Sequence, residues 1–184
     1  MKTRTLGIFL LFCILFALPV FSEDVSPVEE LVSFEEDRIL ILGGDVFHMT
    51  EPETRKFFEG KGYPMVNEIP LASAFECSNA ELAPGIIKYF LSKDKINRVL
   101  FVDEHPADLY DSYVQLFTRV MGEPVYSEAY KNQFGEFPEQ NRWEFGPYGV
   151  TMYGEYAASL QECRENKAAL CIQFFRDINA DPVK

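Results

Sequence analysis

Cysteine is scarce, with four in 184 residues at positions 13, 77, 163 and 171. A small scaffold held by a disulfide framework is therefore excluded, and no CxxC pair is present to bind zinc or run dithiol exchange. Histidine is scarcer, with only His48 and His105, so a multi-histidine metal centre and an HExxH protease helix are excluded as well. No GxSxG elbow and no GxxxxGK[ST] phosphate loop occurs. Basic charge is in deficit, with 17 Lys and Arg against 29 Asp and Glu, and the formal net charge is −12 at neutral pH. With no basic cluster to offset it, that balance argues against nucleic acid or an anionic membrane surface as a partner. Internal repeats and low-complexity tracts are not visible in the sequence, and no apolar run reaches the ~20 residues that cross a bilayer as a helix.

What is present begins with Lys2 and Arg4, followed by an apolar run of 13 residues from Leu6 to Leu18 that Pro19 closes. A charged start followed by a short apolar stretch is the layout of a secretory signal peptide, here residues 1–22, with cleavage expected after Ser22 in Val20-Phe21-Ser22. Removal leaves 162 residues, enough for one domain with a real core, and takes the charge from −12 to −14 because the leader carries two basic residues and no acid. The expected location is periplasmic or secreted, with no membrane attachment after cleavage. Three cysteines remain, which permits at most one internal bridge.

Residues 23–37 form an acidic lead-in with five Glu and two Asp, expected to be solvated, ahead of one domain over 38–184. Ile39 to Leu42 is an apolar run ended by Gly43-Gly44, and Val99 to Val102 is a second; both predict strands buried on two faces. A short helix is expected over 52–60 and a weak strand over 63–66. Leu82, Ile86, Ile87 and Phe90 recur at helical spacing after Asn79, and His105-Pro106 opens a helix carrying Leu109, Tyr113, Leu116 and Val120. Strand, helix, strand, helix predicts an α/β domain with a parallel sheet. Residues 123–148 are aromatic and irregular, an ordered loop insertion packed by its own rings; a late strand is expected at 149–153 and a terminal helix over 157–175.

In an open parallel sheet, ligands bind beyond the carboxyl ends of the strands. Asp45 follows the first apolar strand, and Asp103-Glu104 follow the second. Were the strands neighbours, these three carboxylates could converge on a hard cation such as Mg²⁺. The competing reading is that each acid caps a following helix. His48 and His105 also follow the strands and could pair with a carboxylate.

Pro84-Gly85-Ile86-Ile87-Lys88-Tyr89-Phe90-Leu91, followed by Arg98-Val99-Leu100-Phe101-Val102-Asp103-Glu104-His105-Pro106-Ala107-Asp108-Leu109, resembles the late helix and acidic strand of the haloacid dehalogenase (HAD) superfamily, and more narrowly secreted HAD-like proteins of intracellular bacteria. The resemblance implies a Rossmann-type parallel sheet with flanking helices, with Asp103 and Glu104 as Mg²⁺ ligands. It also implies a nucleophile and a general acid in an Asp-x-Asp pair, where this chain reads Gly43-Gly44-Asp45 and retains only the second. The superfamily's lysine falls near Pro84, one turn before Lys88, and its Ser or Thr near Asn67. A register in which Asp45 itself attacks would leave Phe47 at the acid position and require Glu51 to replace it.

These residues predict an exported HAD-like domain without turnover, binding a small-molecule or protein ligand. Two alternatives stand beside it: a Mg²⁺-dependent phosphatase using Asp45 and Asp103, and an unrelated exported α/β protein whose segment from Tyr126 to Tyr153 is an interaction surface.

Overall fold

The computed structural model describes residues 27–127, 130–132, 135–137, 139–155 and 159–177; the expected leader lies outside them. The chain begins with α1 (Pro27–Leu31) and a hairpin of β1 (Val32–Glu35) and β2 (Arg38–Ile41), then a 3-10 turn at Val46–His48 and α2 (Glu51–Gly60). A meander follows: β3 (Met65–Ile69), β4 (Ala74–Ser78), β5 (Ile86–Ser92) and β6 (Lys95–Asp103). After a further 3-10 turn at Pro106–Asp108, the third after those at Val46–His48 and Pro70–Ala72, comes α3 (Tyr110–Met121), then β7 (Val125–Ser127) and a small hairpin of β8 (Tyr130–Asn132) and β9 (Gly135–Phe137). β10 (Gln140–Phe145), β11 (Tyr148–Gly154), α4 (Leu160–Arg164) and β12 (Leu170–Arg176) complete the described fold.

The expected parallel, HAD-like sheet is overturned. Eight strands form one sheet in the order β3-β4-β5-β6-β12-β11-β10-β7, and every neighbouring pair is antiparallel. The segment read as a crossover helix, 82–90, is largely β5. Its Ile86-Ile87 and Tyr89-Phe90 are β-branched and aromatic, and Ile87 and Tyr89 are fully buried in period-two alternation. Lys93 and Asp94, with φ of +53° and +61°, then turn the chain straight back into β6, which leaves no room for a crossover. Likewise the expected terminal helix over 157–175 is the short α4 followed by β12. The first apolar strand, 39–42, is not in the main sheet: β2 pairs with β1, built from the acidic lead-in, and Val28 and Val32 of that lead-in are fully buried.

The strand order reads the same from both edges. Each half is a 3-10 turn, a helix and four antiparallel strands, and the halves meet through their last strands, β6 and β12. The second half differs in carrying the β8–β9 hairpin and α4 between its strands.

Cross-strand partners share a face of an antiparallel sheet. One row runs Phe75, Tyr89, Val99, Phe174, Val150, Trp143 across six strands, and all six are buried. Phe58 of α2 stacks on Tyr89 at 5.7 Å, while Phe117 of α3 contacts Trp143 at 5.3 Å and Phe174 at 6.1 Å. Both helices therefore cover the same face. Phe34 of β1 reaches Phe117 and Phe145, and Phe47 of the first 3-10 turn reaches Tyr148 at 5.4 Å, so the hairpin and the turn complete this cover. α2 and α3 end alike, at Gly62 and Gly122 with φ of +89° and +84°, a left-handed stop that a side chain resists.

Candidate functional site

Asp45 sits just before the first 3-10 turn. Its Oδ1 lies 2.7 Å from Nδ1 of His48, and its Oδ2 lies 3.7 Å from the Arg38 guanidinium. A carboxylate only accepts, so Nδ1 of His48 carries the hydrogen and Nε2 is left for other partners. The anticipated pairing of a strand-following histidine with a carboxylate is thus realised at His48, across three residues.

Asp103 ends β6 on the helix-covered face and is buried, its Oδ1 accepting the His105 backbone N–H at 3.0 Å. Desolvation first, and the Asp103 charge second, push the phenol of Tyr63 up to about 12 and raise that of Tyr113. Glu104 is exposed.

These acids are not brought together. Asp45 acts on Tyr148, whose phenol is raised by burial and, more weakly, by that charge. Tyr148 pairs with Arg176, one step past the Phe175–Arg98 pair, whereas Asp103 pairs with Leu170 at the other end of the same strands. Six residues of strand separate the two levels, about 20 Å at ~3.3 Å per residue. Among the described residues no group of three or more His, Cys, Asp or Glu is placed to hold a metal. Gly43, at the nucleophile position implied by the resemblance, lies in the turn after β2 with φ +76°. Lys88 is on β5, tied to Glu76 at 3.0 Å, and Asn67 is on the edge strand β3.

Nucleophilic cysteine is no better supported. Cys77, Cys163 and Cys171 are all buried free thiols; desolvation pushes the first two up to about 11 and Cys171 to about 12. A thiol held protonated is a poor nucleophile at neutral pH.

The arrangement with the most recognisable chemistry lies on the other face of the sheet, which α2 and α3 leave open. Its middle rows read Phe90, Arg98, Phe175, Gly149 and Lys88, Leu100, Gln173, Thr151, Arg142. Phe90, Leu100, Phe175 and Tyr153 are only partly buried there. The Arg98 guanidinium stacks 4.5 Å over Phe90, and that of Arg142 stacks 5.1 Å over Phe175. A cavity of about 460 Å³ opens beside this second stack, lined by Gln140, Arg142, Thr151, Tyr153, Gln173 and Phe175. Two amides, two hydroxyls, a guanidinium and a ring supply hydrogen bonds and one flat apolar surface. The segment from Tyr126 to Tyr153, an interaction surface in one of the alternatives the sequence offers, includes β10 and β11, which carry four of the six lining residues. Gln173 and Phe175 carried no signal, being assigned to a helix. Comparison of the chain with protein-family models, with curated proteins and with solved structures finds no significant match.

Proposed function

We propose that this chain is an exported binding module that captures a carboxylate-bearing ligand, without covalent chemistry, on the open face of its sheet. The observation that carries this reading is the Arg142–Phe175 stack at the mouth of the 460 Å³ cavity. A guanidinium whose Cζ sits 5.1 Å over a ring centroid makes no hydrogen bond to that ring, so its N–H donors remain for a ligand, and a carboxylate is the group that matches two of them at once.

Arg142 has an internal partner, Glu144, but the contact is 3.3 Å between side chains that are 49% and 74% exposed. An exposed pair of this kind is worth at most about 1 kcal/mol, so a ligand carboxylate that is better placed and partly desolvated displaces it. Gln140, Gln173, Thr151 and Tyr153 then hydrogen-bond the ligand's remaining polar groups, and Phe175 takes its apolar edge. An acidic chain benefits from placing such a site beside Arg98, which with Arg142 offsets locally the repulsion of a strongly negative chain.

The test is a ligand-observed NMR screen of acidic peptides and sugar acids against the folded chain and its Arg142→Gln and Tyr153→Phe variants. Binding of a carboxylate-bearing ligand that weakens about tenfold or more in Arg142→Gln is expected. Ligands retained equally by that variant, or no retained ligand at all, refute the reading.

A further inference from the structure

We infer that the chain has a second binding site, on the opposite side of the sheet, for an amphipathic anion: a small molecule with an apolar body and one acidic group. The site is a cleft of about 620 Å³ between the first 3-10 turn and α2. One wall carries Asp45 and His48, and the other is the face of α2 that presents Lys56, with Lys61 just beyond the helix end. Phe57 and Met49, both partly buried, form its apolar floor.

The floor is a consequence of glycine. A Cβ on Gly44 would stand 2.5 Å from the ring of Phe57, so the ring occupies the space that any other residue would claim. Lys61 then lies over that ring with its ammonium 5.5 Å from the centroid. A cation held above an aromatic floor places charge directly over apolar surface, which is what a ligand with an acidic head on an apolar body requires.

The charges around the cleft support the sign. Glu53 also lines it, but its Oε2 accepts both the backbone N–H and the hydroxyl of Thr50 at 2.8 Å, so that carboxylate is engaged in holding the helix start. Asp45 is engaged by His48 and Arg38. Neither Lys56 nor Lys61 forms an ion pair with an acid among the described residues, although the chain carries 29 acids against 17 bases. Two uncommitted ammonium groups and His48, oriented by Asp45, thus face acids that already have partners. The ligand's acidic group goes to Lys56 and Lys61, its body lies on Phe57 and Met49, and His48 Nε2 meets a polar substituent.

Anilinonaphthalene sulfonate, an aromatic body with one sulfonate, is the probe. Titrated into the folded Arg142→Gln chain, in which the open-face site is disabled, its fluorescence is expected to saturate at one equivalent. The double variant Lys56→Glu with Lys61→Glu weakens binding by about tenfold or more, and Lys61→Gln weakens it less. Gly44→Ala, which displaces Phe57 without touching a charge, also weakens it. Unfolding midpoints, measured for each variant, separate loss of the cleft from loss of the fold. No saturable binding in that background, or binding indifferent to both lysine changes in folded variants, would each overturn the assignment.

Discussion

The ring of Phe175 lies over Gly149, its registered partner on the neighbouring strand: a Cβ built on Gly149 would fall 2.0 Å from the ring's Cζ. A phenylalanine lying flat on a strand needs a glycine beneath it, and Arg142 stacks on the ring so placed. Gly149→Ala should therefore lift the ring and scatter the stack. The expected cost is about 1–3 kcal/mol in urea unfolding, typical of an added methyl without space, together with weaker carboxylate binding. A variant with unchanged stability and unchanged binding would show that the ring's position does not matter.

Phe117 is the hub of the helix-covered core. Its ring contacts those of Phe34, Tyr113, Trp143 and Phe174, so it joins the N-terminal hairpin, α3 and two strands. Phe117→Ala is expected to destabilise the chain by about 3–5 kcal/mol. Phe57→Ala, at a partly buried position, should cost clearly less. Equal unfolding midpoints for the two variants would contradict this placement of the core.

The strands that were legible and the strands that were not differ in a way that bears on function. Val99 to Val102 could be read because it is a wholly apolar run in a central strand, and Glu51 to Gly60 because its start and stop signals are local. Ile86 to Phe90 and Leu170 to Phe175 were taken for helices because both their faces are largely apolar, which erases the two-residue alternation that marks a strand with one wet face. Ile86, Phe90 and Phe175 point to the open face of the sheet, and Phe175, one of the residues that hid these strands, lines the proposed ligand cavity. Parallel direction was inferred from the false helices and failed with them. Of the site, Asp45 and His48 were visible through their place after an apolar strand. The stacking of Arg142 on Phe175 was not, because it depends on the registers of β10 with β11 and of β11 with β12, which no local pattern encodes.

Buried thiols and phenols give the fold a ceiling in alkaline solution. Desolvation holds Cys77 and Cys163 up to about 11, and Cys171, Tyr63 and Tyr110 up to about 12. Each folded value lies above the ordinary one, so the neutral form is favoured by folding. The contribution is intact below the ordinary values near 9 for thiols and 10 for phenols, and is lost as pH climbs through the folded values. The urea midpoint is therefore expected to hold from neutral pH to about 9 and to fall between about 9 and 12. Thiol labelling at mildly alkaline pH should be slow until denaturant is added; fast labelling of the folded chain would contradict the burial of all three cysteines.

Asp45 and Asp103 supply the last test, because a phosphatase built on them needs both at one metal. Mg²⁺ binds oxygen at ~2 Å, so two carboxylates sharing an ion must come within a few ångströms of each other. Here one lies near Tyr148, registered with Arg176 at one end of the central strands, while the other pairs with Leu170 at the far end, and six residues of strand, about 20 Å at ~3.3 Å per residue, separate those two backbone levels. Asp45 is further tied to His48 and Arg38, and Asp103 to the His105 backbone. The folded chain is accordingly expected to hydrolyse nitrophenyl phosphate no faster with Mg²⁺ than without it, and its melting temperature should not move when Mg²⁺ is added. Mg²⁺-dependent hydrolysis that disappears in both Asp45→Asn and Asp103→Asn would show that the two acids meet in solution, and would replace the binding reading with an enzymatic one.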